Sequence, residues 1–214
     1  MAELEYEVLH ENVYYFPGAI PEIANVMATV EELSSRSVTE WTTWYANNAQ
    51  DGYPYGDLKT LNVHELRNET DADIKAKSEY VIYSILNTME QCAIEFMINH
   101  GADEVELAEL HEGMFDRGAY YGIRRYNESE DMGPHPDRTE DGKDTYTIAV
   151  YLDDDYEGGE LAIVQPGVGL SIKNKAGSIV VFPSGYLHES KKLLSGRKTI
   201  LTHVHTTLKP MINF

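Results

Sequence analysis

At 214 residues, with 42% hydrophobic and 10% aromatic side chains, the chain can bury a sizeable core as one domain. Its 36 acidic against 17 basic residues give a formal net charge of −19, which excludes non-specific nucleic-acid binding and attachment to an anionic membrane surface. A single cysteine, Cys92, excludes an internal disulfide and a cysteine-ligated zinc; with no basic and apolar leader and no bilayer-length apolar run, the expectation is a cytoplasmic protein without a membrane partner.

Taken in order, residues 4–16 alternate loosely and end in the apolar run Val13-Tyr14-Tyr15-Phe16 before Pro17-Gly18, the pattern of a strand. Pro21 opens a helix to about Ser34, with Ile23, Val26, Met27, Val30 and Leu33 on one face. Residues 38–45 are β-branched and aromatic and predict a strand, and residues 46–62, rich in Asn, Gly, Tyr and Pro, predict a loop. That loop is either a substrate-contacting lid or a packed surface loop. The helical spacing of Ile74, Val81, Ile82, Ile85, Met89, Cys92, Phe96 and Met97 predicts a long core-facing helix over 71–100, stopped by Gly101.

From about residue 117 the character changes. Strands are predicted over 120–126, 145–152, 160–164, 169–172, 178–182 and 197–205, separated by turn signals such as Gly158-Gly159, Pro166-Gly167 and Ser195-Gly196. Many short strands at this spacing predict a sandwich or barrel, and with a metal inside, a jelly roll. The whole of 1–214 is therefore expected to be one α+β domain, mainly β. Residues 1–116 form a helix-rich support, and 117–214 form a metal-binding jelly-roll, or double-stranded β-helix, core packed against the N-terminal helices.

His135-Pro136-Asp137 carries the chemistry. In an extended strand, residues two apart point to one face, so this imidazole and carboxylate converge. They are two thirds of the 2-His-1-carboxylate triad that holds non-haem Fe(II) with positions left open. His188, after Val-Val-Phe-Pro-Ser-Gly-Tyr-Leu, is the best third ligand. Ten residues further on, after Gly196, Lys198 opens a strand, where a cation can meet the distal carboxylate of a diacid such as 2-oxoglutarate. The other candidate residues have plainer readings. His203 and His205 share a strand face but lack a carboxylate partner and read as exposed or packed. His10, His64, His100 and His111 read as structural, Asp153-Asp154-Asp155 as an acidic turn, and Arg124 and Arg125 as partners of the many acids rather than of substrate.

Arg125-Tyr126, His135-x-Asp137, Leu152-Asp153…Gly158-Gly159-Glu160-Leu161, Gly177…Phe182-Pro183, His188 and Gly196-Arg197-Lys198 occur in this order over about 85 residues. This order resembles the Fe(II)/2-oxoglutarate-dependent dioxygenases, in particular the prolyl 4-hydroxylase-like branch. The resemblance implies iron on His135, Asp137 and His188, and Lys198 on the co-substrate carboxylate. It implies C–H hydroxylation with O2, most naturally of a prolyl residue in a peptide or protein, with succinate and CO2 as co-products and L-ascorbate as a candidate auxiliary. Hydroxylation of another residue, a free amino acid or a small metabolite is the main alternative; a non-catalytic jelly-roll binding module is the other. Two departures stand out. The family's tyrosine three residues before the first histidine is Met132 here, leaving Tyr126, Tyr121 or Tyr146 to supply its hydroxyl. A one-residue register slip would exchange Lys198 for Arg197 as the carboxylate partner.

Overall fold

The computed structural model describes residues 4–36, 42–43, 59–62, 66, 68–116, 122–137 and 145–206. A hairpin of β1 (Glu7–His10) and β2 (Val13–Phe16) precedes helix α1 (Ile23–Ser34), and short strands β3 (Thr42–Thr43) and β4 (Lys59–Asn62) precede α2 (Ala72–Asn99) and α3 (Glu104–Asp116). Then come β5 (Gly122–Tyr126), β6 (Met132–His135), β7 (Thr145–Tyr151), β8 (Tyr156–Gly158) and β9 (Leu161–Ile163). The last strands are β10 (Leu170–Ile172), β11 (Ile179–Pro183), β12 (His188–Ser190), β13 (Leu193–Gly196) and β14 (Lys198–Thr206). No helix among the described residues is long and apolar enough to cross a membrane.

α2 starts where Asp71 accepts hydrogen bonds from the amides of Asp73 and Ile74, an N-cap that satisfies two of the four orphan donors. It stops at His100, followed by Gly101 at φ +80°, where only glycine is unstrained. The sequence reading missed α3, although its signal is present. The Asp103 carboxylate caps the amides of Val105 and Glu106, and Glu106 returns a bond to the Asp103 amide.

The strands form three sheets: eight strands in the order β1-β2-β11-β7-β14-β5-β4-β3, four in the order β10-β9-β12-β6, and the pair β13-β8. β7 and β11 are apolar on both sides because both faces are covered. Ile148, Val150, Ile179, Val181 and Leu201 face the α1–α2 side with Val26, Leu33, Ile85, Met89, Phe96 and Met97. Their alternates, Ala149, Tyr151, Val180, Phe182 and Ile200, form a second cluster with Leu161 and Ile163 of the four-stranded sheet.

This topology corrects the expected double-stranded β-helix, or jelly-roll, core. The fold is mixed α+β, and among the described residues no sheet closes or curls into a barrel. The large sheet ends on β1 and β3, N-terminal strands at opposite edges that do not pair with each other. Strand spacing in a sequence predicts lengths and turns; which distant edges meet depends on pairings the spacing does not encode. The predicted 46–62 loop is also corrected over its last four residues, which are β4, paired with β5. Residues 46–58 lie outside the described residues.

Candidate metal centre

β12 runs antiparallel to β6 with His188 opposite His135, which stacks the two imidazoles at 4.5 Å between ring centroids. Asp137 lies two residues past His135, and its amide donates to the Ser184 carbonyl at 2.8 Å, so the loop leading into His188 also anchors the His-x-Asp segment. The Asp137 carboxylate then sits between the rings, Oδ1 3.5 Å from His135 Nε2 and Oδ2 3.4 Å from His188 Nε2. One ligand atom from each residue falls within 4.8 Å of the others, and among the described residues this is the one such cluster of metal-binding side chains.

The second ring nitrogens explain the orientation. His135 Nδ1 faces the Gly133 carbonyl at 2.8 Å and His188 Nδ1 faces the Tyr186 carbonyl at 2.9 Å. A carbonyl only accepts, so each Nδ1 carries the proton and each Nε2 turns a lone pair toward the carboxylate. With a cation bound, each Nε2 offers it a lone pair beside the carboxylate; without one, an Nε2 that takes up a proton pairs with Asp137. Burial opposes charge on Asp137, but the adjacent imidazoles outweigh it and hold the carboxyl well below its usual range. Burial likewise opposes charge on His135, yet Asp137 and the Gly133 carbonyl raise its pKa. Ligands about 2.1 Å from an octahedral ion stand roughly 3 Å apart on one face, so the donor set and spacing fit a divalent metal bound facially. Thr147 Oγ1 donates to Asp137 Oδ2 at 2.9 Å, and the Phe182 ring meets His188 edge-on at 4.9 Å. These contacts fix both groups from behind.

The triad opens into a cavity between the eight- and four-stranded sheets. Lys198 lines it and is 1% exposed; its Nζ donates to the Gly159 carbonyl at 2.7 Å and to Ser190 Oγ, and lies 4.6 Å from the centre of the Tyr126 ring. Gly159, at φ +66°, permits this approach: a Cβ there would stand 3.3 Å from Lys198 Cδ and 3.0 Å from Leu193 Cδ1. Burial lowers the Lys198 pKa to about 7, against the opposing pull of Asp153 and Glu160.

Arg197 points the other way, its side chain 59% exposed and 3.8 Å from Glu31. Of the three candidate tyrosines, Tyr126 lines the cavity and donates its hydroxyl to Met132 Sδ at 3.8 Å. Tyr146 faces α2, donating to Met97 Sδ at 3.4 Å, and Tyr121 lies outside the described residues. His203 is buried on the helix-facing side; His64 and the side chains of His111 and His205 lie outside the described residues. Asp153 is tied to the Thr199 amide at 2.8 Å rather than assembled into a cation site.

Strand alternation puts Ile200 and Thr202 on the inward face with Lys198, and both line the cavity. Sequence reasoning missed Thr147, Tyr151 and Ser190 as lining residues and favoured pairing with the many acids for Arg124, which also lines the cavity and is an even step from Tyr126 on its own strand.

Residues 121–205 match the 2OG-Fe(II) oxygenase superfamily. A PKHD-type hydroxylase of Prochlorococcus marinus (strain AS9601) is 41% identical over 56 residues, which are 26% of this chain and 25% of the relative. One from Shewanella baltica (strain OS155) is 37% identical over 85 residues, covering 36% of this chain and 38% of the relative. The chain thus spans between 25% and 38% of the length of these relatives. Two solved structures share the fold. A Pseudomonas putida prolyl-4-hydroxylase has a TM-score of 0.54 and 18% identity over 91% of this chain and 92% of its own. A Trichoplax adhaerens prolyl hydroxylase, in complex with a hypoxia inducible factor oxygen degradation domain peptide fragment, has a TM-score of 0.58 and 12% identity over 92% of this chain and 84% of its own. The match to the 2OG-Fe(II) oxygenase superfamily over residues 121–205 contains the whole His135, Asp137 and His188 cluster, a donor set that could hold a metal ion.

Proposed function

We propose that the chain is an Fe(II)- and 2-oxoglutarate-dependent dioxygenase that hydroxylates a C–H bond, most naturally of a prolyl residue in a peptide or protein. The observation that carries this reading is the convergence of two Nε2 lone pairs and one carboxylate at the wall of a cavity that also holds a buried lysine. His135, Asp137 and His188 hold the iron. Lys198 pairs with the distal carboxylate of 2-oxoglutarate, exchanging its contacts with Gly159 and Ser190 for a charge-assisted bond. Tyr126, under the lysine, and Tyr151 wall the co-substrate, while Leu161, Phe182 and Ile200 keep water away from the reacting centre. The bound iron and co-substrate supply the oxidation: O2 and 2-oxoglutarate give succinate and CO2, and one oxygen atom enters the substrate C–H bond. A prolyl substrate is supported by the prolyl hydroxylases that share the fold. The lone, buried Cys92 agrees with a reducing, cytoplasmic setting.

Succinate formation from 2-oxoglutarate with Fe(II) and ascorbate, with and without proline-rich and lysine-rich peptides, tests the proposal. Peptide-stimulated succinate and a product heavier by one oxygen atom are expected. Iron binding without any succinate would overturn it in favour of a binding protein.

A further inference from the structure

The turn between β11 and β12 orients two of the three metal-binding side chains. The Ser184 carbonyl accepts from the Asp137 amide at 2.8 Å, and the Tyr186 carbonyl faces His188 Nδ1 at 2.9 Å. Both groups therefore take their direction from carbonyls two residues apart. The Tyr186 amide closes the turn on the Pro183 carbonyl at 2.9 Å, and Gln165 Nε2 donates to the Gly185 carbonyl at 3.2 Å.

The Tyr186 side chain reaches further. Its hydroxyl meets Asn12 Nδ2 at 3.0 Å, a contact between residues 174 positions apart in the chain. The sheet explains the meeting. β2 pairs antiparallel with β11, with Tyr14 opposite Val181, so the turn just before Val13 arrives beside the turn just after Pro183. Asn12 Oδ1 in turn stands 2.9 Å from His100 Nε2 at the C-terminal end of α2. His100 Nδ1 faces the Phe96 carbonyl at 2.7 Å, a hold on the main chain that does not depend on the Phe96 ring. In the protonated imidazole Nε2–H donates to Asn12 Oδ1. With the neutral ring the amide turned end for end donates to Nε2 and accepts from the Tyr186 hydroxyl. In both cases Asn12 bridges the same two side chains. A half-buried amide engaged at both ends fixes Tyr186 in direction as well as in distance, which apolar packing of its ring alone does not.

We propose that Asn12 is a positioning residue for the metal centre: acting through Tyr186, it holds the turn that aims His188 and Asp137 at the ion. The N-terminal hairpin and the end of α2 thereby become part of the metal site, although the residues that line its cavity come from the later strands. This inference rests on the metal-dependent reading above.

The full chain, stripped of metal, is titrated calorimetrically with Co(II), which stands in for Fe(II) and whose visible absorption reports the arrangement of its ligands. Tyr186→Phe keeps the ring and the backbone carbonyl and removes only the hydroxyl. Asn12→Leu keeps the volume and removes the amide. Each is expected to weaken Co(II) binding about tenfold and to change the Co(II) spectrum. Tenfold is the lower end of the loss when a group behind a metal ligand is removed, because Pro183 and Gln165 still hold the turn. The double variant should bind about as well as either single one, since both remove the same contact. Asn99→Ala is the control. Asn99 Nδ2 donates to the Tyr6 hydroxyl at 3.2 Å, so the substitution removes another side-chain bond between α2 and the N-terminal segment. Its Co(II) affinity and spectrum should match the wild type, and thermal unfolding puts the stability losses of all variants on one scale. Co(II) affinity within about twofold of wild type in Tyr186→Phe overturns the proposal, and this variant decides alone if Asn12→Leu does not fold. Equal losses in Asn99→Ala overturn it too, because they reduce the contact to general stability. So do additive losses in the double variant, because Asn12 then does not act through Tyr186. If the wild type binds no Co(II), the metal-dependent reading itself falls and takes this inference with it.

Discussion

The two faces of the eight-stranded sheet are built from the same strands and hold different kinds of residue. Toward α1 and α2, β7, β11 and β14 present Ile148, Val150, Ile179, Val181 and Leu201, and the helices answer with Met89, Phe96 and Met97. Toward the smaller sheet the alternate positions are Thr147, Tyr151, Phe182, Lys198 and Thr202, facing two histidines and an aspartate. A buried polar group costs stability unless it is paired. The helix face is thus what lets the cavity face carry an enclosed lysine and a carboxylate between two imidazoles. Substitutions on the two faces should therefore fail differently.

The sharpest break in this comparison is at the triad. His135→Ala or Asp137→Ala is expected to abolish succinate formation and iron binding while the fold persists, because the removed groups pack little apolar surface. A folded variant that keeps full iron content and turnover would sink the assignment; metal analysis and circular dichroism decide it. Phe96→Ala is the counterpart on the helix face. Phe96 is 1% exposed and packs against Tyr14, His100 and Tyr146 at 5.2, 4.2 and 5.4 Å between ring centroids. Its truncation should cost about 3–5 kcal/mol in urea unfolding. Iron affinity of the folded fraction should stay nearly unchanged, since distant sites add independently.

How much of this was legible in the sequence differs between the faces too. The approach of His135 and Asp137 followed from the period of an extended chain, and the inward turn of Lys198 relative to Arg197 from the same period after Gly196. Gly196 itself, at φ +83° with the Asp155 carbonyl 2.6 Å from a hypothetical Cβ, fixes the register of that strand. The helix face was visible in the spacing of α2. Tyr151 was not singled out, because it lies in Tyr-Thr-Ile-Ala-Val-Tyr, a run buried on both faces in which alternation has no polar side to reveal it. The division of the described strands into three open sheets was not legible either. It depends on β2 pairing with β11 and β4 pairing with β5, contacts between segments far apart in the chain.

Lys198 sharpens the comparison from inside the cavity. Lys198→Ala should weaken 2-oxoglutarate binding by roughly tenfold to a hundredfold, the range of a lost bond to a charged group. Arg197→Ala, on an exposed side chain near Glu31, should change it little. If Arg197→Ala produces the larger loss, the assignment of the inward cation is wrong.

The smallest effect is the pH dependence of that same affinity. Burial among Tyr126, Gly159 and Ser190 lowers the Lys198 pKa to about 7, partly offset by Asp153 and Glu160. A carboxylate bound to the ammonium raises it again. Below pH 7 the lysine is already charged and binding takes up no proton. Above pH 7 the free protein has lost the charge, and each bound 2-oxoglutarate must restore it. Affinity should accordingly be flat at low pH and fall by about tenfold between pH 6 and pH 8. Lys198→Arg remains charged throughout and should flatten the profile, whatever its absolute affinity. Calorimetry of the Mn(II)-loaded protein in buffers of different ionisation enthalpy reads both the affinity and the proton uptake. An affinity that rises with pH, or no proton uptake at pH 8, would show that the lysine is not the group that meets the co-substrate.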